Sequence, residues 1–162
     1  MAADPHPLTD DGHHVVIDGR TWRATDPSIP ESFRRELVDE LMAARRAVRA
    51  GEPDARTRVN DAKTALGERG HPWWEDAEGA GFDDRIAAAI RALTRKRAES
   101  SICPSDVART IGGSAWRSRM DDVRRVTGEL ADRGEVVVTQ KGEPVRIAEV
   151  KGPVRIRLAS RS

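Results

Sequence analysis

Residues 102–134 read ICPSDVARTIGGSAWRSRMDDVRRVTGELADRG, and this stretch predicts a helix, a tight turn and a second helix. Pro104 suits the first helical turn, where its missing N–H costs nothing. Asp106 stands three residues after Cys103, which is the spacing of a capping box. The glycine pair 112–113 ends this helix, because glycine adopts the left-handed cap conformation without steric penalty.

A longer helix is predicted to follow, from Ala115 to about Arg133. The side chains on one face of it are spaced four, three, four and three residues apart and are Trp116, Met120, Val123, Thr127 and Leu130. Such a stripe is typical of a face that packs on a core. The opposite face carries Arg117, Arg119, Asp121, Arg124 and Arg125.

The flanking residues complete an order of elements. Residues 82–98 predict a preceding helix, whose apolar positions are Phe82, Ile86, Ile90, Leu93 and Ala98, and a minimal extended segment follows at 100–102. Residues 135–140 are rich in β-branched side chains, and 154–158 alternate as a half-buried strand does. Helix, short strand, helix, turn, helix, strand, basic loop and strand is the order of a winged helix-turn-helix, predicted here over 82–162.

This prediction makes duplex DNA the first partner to consider. In helix-turn-helix proteins the second helix of the motif places its N-terminal residues on base edges, while other basic residues hold phosphates. The expected contacts are basic side chains of that helix and of the wing, namely Arg117, Arg119, Arg124, Lys141, Arg146 and Lys151. Asp121 and Asp122 oppose the hypothesis, because they reduce the positive field of the helix.

The distribution of charge supports the same hypothesis. The whole chain has a net charge of +1, but residues 1–81 carry −5 and residues 82–162 carry +6. A basic half beside an acidic half is expected when only one half approaches a polyanion. The alternative is a non-enzymatic protein-protein interaction adaptor without nucleic-acid affinity, because a fold alone does not fix a function.

The N-terminal half predicts a lead followed by a compact unit over 13–70. Residues 1–12 are rich in Asp, Pro and His, and we expect them to be disordered. Two short strands flank Asp18-Gly19, which is a strong signal for a two-residue β-hairpin turn. The spacing of Ser28 and Glu31 is that of a capping box at the start of a helix.

Two helices are expected to complete this unit as an antiparallel pair. The first carries an apolar stripe of Phe33, Leu37, Leu41, Ala44 and Val48 and ends at Gly51. The second runs from near Pro53 to Arg69, with a stripe of Ala55, Val59, Ala62 and Leu66. The predicted fold class is therefore α+β, with a β-hairpin and an antiparallel helical pair preceding the winged helix. The arginines of the first helix alternate with acidic residues, as on a solvated face.

Residues 71–81 read as a linker, because they are rich in Gly and acidic residues. Trp73 and Trp74 do not fit a simple linker. We expect at least one of them to dock on the rest of the chain, and the alternative is an anchor for a protein partner. The N-terminal unit could then serve in homodimerisation or partner binding, or it could fold on the basic half and compete with DNA.

Composition places the chain among globular proteins, with 38% hydrophobic and 34% charged residues. No apolar run approaches the ~20 residues that a membrane helix needs, so no membrane association is expected. The polar start of the sequence lacks a signal-peptide pattern, and a single cysteine cannot form an internal disulfide. These features favour a cytoplasmic location.

Catalysis is not expected from the residues present. Cys103 at a helix start could be a reactive thiol, and the alternative is a small buried cap residue. The four histidines lack the spacing of metal ligands, and the glycine pair 112–113 lacks the lysine of a phosphate-binding loop. No enzyme activity, metal or cofactor is therefore predicted.

The C-terminal half resembles a bacterial winged-helix family of unknown function. The resemblance covers residues 84–158 and rests on Ile102 to Arg109, Trp116-Arg117 through Met120, Val123-Arg124 and the ending Gly152-Pro153-Val154-Arg155. It implies a fold for this half but no characterised activity.

The N-terminal half is similar to actinobacterial proteins often labelled as Tol-type biopolymer transporters. The similarity covers residues 13–75 and rests on Asp18-Gly19-Arg20, Trp22 to Pro27, Leu41 to Val48, Ala65 to Gly70 and Pro72 to Glu75. Transport is not expected from this sequence, because it contains neither a membrane-spanning run nor an export signal.

Overall fold

The computed structural model describes residues 6–160 and has an α+β architecture. Its helices are α1 (Glu31–Arg49), α2 (Ala55–Ala65), α3 (Gly79–Lys96), α4 (Pro104–Gly112) and α5 (Met120–Asp132), with 3₁₀ segments at Gly113–Arg119 and Ile147–Glu149. Its strands are β1 (His14–Ile17), β2 (Arg20–Arg23), β3 (Val136–Gln140), β4 (Glu143–Pro144) and β5 (Arg155–Leu158). They form two small antiparallel sheets, β1-β2 and β4-β3-β5.

The predicted hairpin is confirmed. Asp18 and Gly19 have φ values of 50° and 76°, as a turn with two left-handed residues requires, and Val15 pairs with Trp22 across the strands. The expected disorder of residues 1–12 is wrong for their later part, because Leu8 forms a bridge with Val15 and the Val16 N–H donates to Pro7 O. Residues 1–5 of that expectation lie outside the described part of the chain.

Helices α1 and α2 pack on each other, and a bidentate ion pair between Arg58 and Glu40 links them. The predicted capping box at the start of α1 is wrong. Pro30 occupies the cap position without a side-chain hydrogen bond, and Ser28 donates instead to Asp26 through both N–H and Oγ–H. Asp26 is only two residues away, and it competes successfully for the Ser28 donors.

The α4 start follows the predicted pattern, since the Cys103 N–H donates to Asp106 Oδ2 at 2.9 Å. The single long helix expected from Ala115 is wrong. A 3₁₀ segment occupies residues 113–119, Ala115 departs from helical geometry, and α5 begins only at Met120. Acidic residues in the first turn of α5 favour this start, because they complement the positive end of the helix dipole.

The second sheet connects directly to the segment before α4. Val138 of β3 pairs with Ile156 of β5, and Ile156 also forms a bridge with Ile102 through two backbone hydrogen bonds of 2.8 Å. The extended segment predicted at 100–102 is therefore paired with the sheet through Ile102, the last residue of the segment.

One hydrophobic core runs through both halves of the chain. Its buried residues extend from Ile29 and Phe33 to Val136 and Ile156, and those of α3 lie among them. The predicted linker packs too, because the Trp73 indole N–H donates to Ala24 O at 2.9 Å. The predicted N-terminal unit and C-terminal half thus share a core rather than forming separate ones.

Candidate nucleic-acid interface

The basic residues of α3, and Arg97 directly after it, are largely paired with acidic residues of the N-terminal half. Arg95 lies 2.6 Å from Asp61, Arg97 lies 2.7 Å from Glu36, and Lys96 lies 3.8 Å from Asp39. A buried pair between Arg85 and Asp26 adds a fourth such contact, at 2.9 Å. Much of the charge asymmetry between the halves therefore serves their contact with each other.

These contacts change the acidity of the groups involved. Burial raises the pKa of Asp61, while the hydrogen bond from Arg95 and the charge of Arg91 oppose that rise. Burial lowers the pKa of Arg85, against the attraction of Asp26. The contact between the halves is thus partly desolvated at Asp61 and Arg85.

A different group of basic side chains has no carboxylate within salt-bridge distance in the described part of the chain. The group lies on α4, on the first 3₁₀ segment, between β3 and β5 and on β5, and it includes Arg109, Arg117, Lys141, Lys151 and Arg157. All five are exposed. Three of them, Arg117, Lys141 and Lys151, are residues that the sequence predicted as DNA contacts.

Arg117 lies against an aromatic ring rather than an acidic side chain. Its guanidinium carbon is 4.5 Å from the centre of the Trp116 ring, and that of Arg109 is 4.6 Å from the same ring. Sequence reasoning did not select Arg109. Two features of the sequence could have indicated Arg109. It is an arginine on the first helix of the motif, and a second arginine stands beside a tryptophan in the turn that follows.

Arg124 links α5 to the loop before β5 through hydrogen bonds. Its guanidinium donates to Val150 O at 3.0 Å and to Gly152 O at 3.3 Å. Lys151 lies between those two carbonyls in sequence, so the structure brings the predicted contacts Arg124 and Lys151 together. Arg124 is engaged with the backbone and acts first as a support for this loop.

The Arg119 side chain contacts residues 77–82 rather than the loop before β5. It donates to Ala77 O at 3.2 Å and lies over the Phe82 ring at 5.6 Å, in a recess that Asp83, Asp122 and Arg125 also line. The structure therefore does not group Arg119 with Arg124 and Lys151.

Two further arginines, Arg146 and Arg125, lie close to acidic side chains. Arg146 lies 3.6 Å from Glu149, and both side chains are more than two-thirds exposed. Arg125 is neutralised by Asp83 at 2.9 Å and by Asp122 at 3.3 Å, and these hydrogen bonds raise the pKa of Arg125. Asp121 is exposed beside them. The middle of α5 is thus close to electrically neutral.

The adjacent tryptophans 73 and 74 pack on the N-terminal hairpin. Trp74 stacks on His13 with ring centroids 4.0 Å apart, and Trp73 meets both rings edge-on. Trp22 of β2, which sequence reasoning did not select, is instead 44% exposed. The most accessible indole of the hairpin region is therefore that of Trp22.

Cys103 lies at the edge of a groove of about 550 Å³ between the start of α4, the start of α5 and the loop at 150–154. The Arg155 guanidinium donates to Cys103 Sγ, to Ser101 Oγ at 2.8 Å and to Ser101 O at 2.9 Å. Arg155 thus links β5 to the segment that precedes α4.

Comparison with known proteins gives a result for the C-terminal half only. Residues 83–159, which run from α3 through β5, match a family described as a protein of unknown function (DUF3253). No curated protein matches the chain. Within residues 6–160, no helix has the length and apolar character needed to cross a membrane. The C-terminal half of this chain is thus similar to the DUF3253 family.

Proposed function

We propose that the chain is a non-enzymatic DNA-binding protein whose residues 82–160 act as a winged helix-turn-helix. Helix α4, the first 3₁₀ segment and α5 correspond to the helix-turn-helix. Strands β3 and β5, with the loop between them, correspond to the wing. The bridge between Ile102 and Ile156 supports this assignment, because it supplies the short strand that precedes the motif.

One observation carries the proposal, namely where uncompensated positive charge remains. The arginines of α3 pair with acidic residues, whereas Arg109 and Arg117 of the motif, and Lys141 and Lys151 of the wing, have no carboxylate partner within the described residues. Phosphate contacts by such residues supply most of the affinity of DNA-binding proteins. Exposed arginines of α1, such as Arg45 and Arg49, also lie outside the salt bridges of the described residues, so the charge supports the proposal through its place on the elements that a winged helix-turn-helix presents to DNA.

The proposed roles differ among the predicted contacts. Arg117 contacts a base edge or a phosphate, because its fork can serve either. The wing residues contact the sugar-phosphate backbone of the DNA; they are Lys141, Arg146 and Lys151. Arg124 holds the wing loop in place through its carbonyls, and Arg119 supports the packing of residues 77–82.

The experiment is fluorescence anisotropy of a labelled duplex, titrated with the protein between about 50 and 200 mM salt. The test variant carries Lys141→Gln and Lys151→Gln, and the matched control carries Arg45→Gln and Arg49→Gln on the exposed face of α1. We expect salt-sensitive binding, a log–log salt slope reduced by about 2 in the wing variant, and no change in the control. Absence of binding by the wild-type protein at the lowest salt would overturn the proposal.

A second candidate function is protein-protein interaction through the hairpin. Leu8 and Trp22 are 56% and 44% exposed, and both pair with Val15 in the backbone register. Exposed aromatic side chains are common anchors in interfaces. Under this alternative, sedimentation of the wild-type protein shows concentration-dependent association that Trp22→Ser abolishes, and DNA binding is absent.

A further inference from the structure

Two arginines from different elements meet at one aromatic ring. Arg109 of α4 and Arg117 of the first 3₁₀ segment lie 4.6 and 4.5 Å from the Trp116 ring centre. Both arginines are exposed, and neither has a carboxylate within salt-bridge distance among residues 6–160. The ring itself is half-buried against the core. The three side chains therefore form a positively charged surface.

The turn between the two elements determines this arrangement. A Cβ atom at Gly112 would lie 3.0 Å from Arg119 Cγ and 3.3 Å from Trp116 Cβ. A side chain at position 112 would therefore require Arg119 or Trp116 to move by a few tenths of an ångström, so the 3₁₀ segment packs closely on the end of α4. Trp116 is thus held between the end of α4 and the hydrophobic core.

The arrangement has an electrostatic cost without a ligand. The separation of the two guanidinium carbons cannot exceed the sum of their distances to the ring centre. That sum is comparable to the Debye length of about 8–10 Å in moderate salt, so salt does not fully screen the two charges from each other. The ring face attracts each cation, but the two positive charges still repel each other. An anion in contact with both guanidinium groups would remove that repulsion.

We propose that Arg109, Trp116 and Arg117 form a clamp for one phosphate group of a duplex DNA backbone. The inference rests on the proposed function and adds a phosphate site to it. In a helix-turn-helix the first helix crosses the DNA backbone, and α4 together with the turn holds that position here. Guanidinium forks match phosphate oxygens geometrically, so each of these two arginines is suited to a phosphate contact.

The clamp is tested with Arg109→Gln, Arg117→Gln and their double variant, against two labelled duplexes of unrelated sequence. Each single change should weaken binding about ten-fold or more and lower the salt slope by about 1, equally for both duplexes. The double variant should lose less than the sum of the two single losses, because both arginines hold the same phosphate. Arg45→Gln on α1 serves as the charge-matched control.

The outcomes separate the clamp from the function on which it rests. If the wild-type protein binds neither duplex, the proposed function fails. If the wild-type protein binds but Arg109→Gln keeps its affinity and salt slope, the clamp fails and the proposed function stands. Losses that differ between the duplexes would indicate base contact and would also overturn the clamp. Trp116→Phe keeps an aromatic face and should bind nearly as wild type, whereas Trp116→Leu should match the double variant; thermal melts establish that both are folded.

Discussion

Arg85 of α3 donates a 2.9 Å hydrogen bond to Asp26 of the segment between β2 and α1, and the two side chains are only 2% and 5% exposed. Arg85 also donates to Ala65 O at the end of α2. Asp26 in turn accepts from the Ser28 N–H and Oγ–H. This single buried pair thus joins the hairpin exit, α2 and α3, and it fixes the N-terminal unit to the C-terminal half.

Removal of one partner of this pair should be strongly destabilising. Arg85→Met leaves the Asp26 carboxylate and Ala65 O buried without their donor, so we expect a loss of about 3–5 kcal/mol in the free energy of unfolding, measured in urea. Arg34→Met is the control, because it removes a bidentate pair with Glu31 on the exposed face of α1, where about 0–1 kcal/mol is expected. Equal losses in the two variants would contradict the structural role of Arg85.

The substitution Gly67→Ala tests whether the linker packs on the end of α2. Its φ is +80°, and an added Cβ would lie 3.1 Å from Trp73 Cδ1 and 3.2 Å from Asp26 Cβ. Gly134 has a similar φ of +77° with nothing within 4 Å of an added Cβ. Gly134→Ala should therefore cost about 1–2 kcal/mol of backbone strain alone, and Gly67→Ala clearly more. Equal costs in thermal or urea unfolding would show that Trp73 does not pack there.

Trp73→Phe tests whether the linker tryptophan has a structural role. The change removes the hydrogen bond from the indole N–H to Ala24 O, and we expect unfolding in urea to be easier by about 1–2 kcal/mol. Trp22→Phe alters an exposed ring and should change stability by no more than about 0.5 kcal/mol. A neutral result for Trp73→Phe would instead favour the partner-anchor hypothesis.

Glu135 gives a prediction about pH. The hydrogen bond from Arg91 holds the pKa of Glu135 below its ordinary value of 4.5. A lowered folded-state pKa contributes stability that is present above pH 4.5 and is lost as the pH falls through the folded-state pKa. Glu135→Gln should therefore destabilise at pH 7, by about 1 kcal/mol or less because the group is partly exposed, and the difference from wild type should vanish in acid.

The control for this experiment is Glu99→Gln, which changes an exposed glutamate outside the salt bridges of the described residues. Urea unfolding is measured from pH 7 downward for all three proteins. A difference between wild type and Glu135→Gln that stays constant with pH would show that the Arg91 contact does not act through the carboxylate charge.

Local chemistry made several elements predictable from the sequence. Asp18-Gly19 sets the hairpin because its two left-handed residues match the strand twist. Asp106 marks the start of α4 through its hydrogen bond to the Cys103 N–H. The apolar stripes located the five helices because periodicity reflects burial directly.

The 3₁₀ segment was not predictable from the same signal. The apolar spacing continues from Trp116 into α5, so periodicity does not reveal that the backbone hydrogen bonds change before Met120. That change depends on how the glycine turn packs, which is a tertiary property. The partners of the basic residues were likewise hidden, because the sequence gives each charge but not the acidic side chain that faces it. Arg119 and Arg124 therefore looked free in the sequence and are engaged in the structure.

The measurement that tests the central claim most directly is a ¹⁵N NMR titration of the full chain with a short duplex at low salt. The account predicts amide and side-chain shift changes concentrated in residues 109–125 and in the loop at 141–153, with α1 and α2 unaffected. Shift changes confined to the N-terminal hairpin and helices, or the absence of any change with excess duplex, would contradict it.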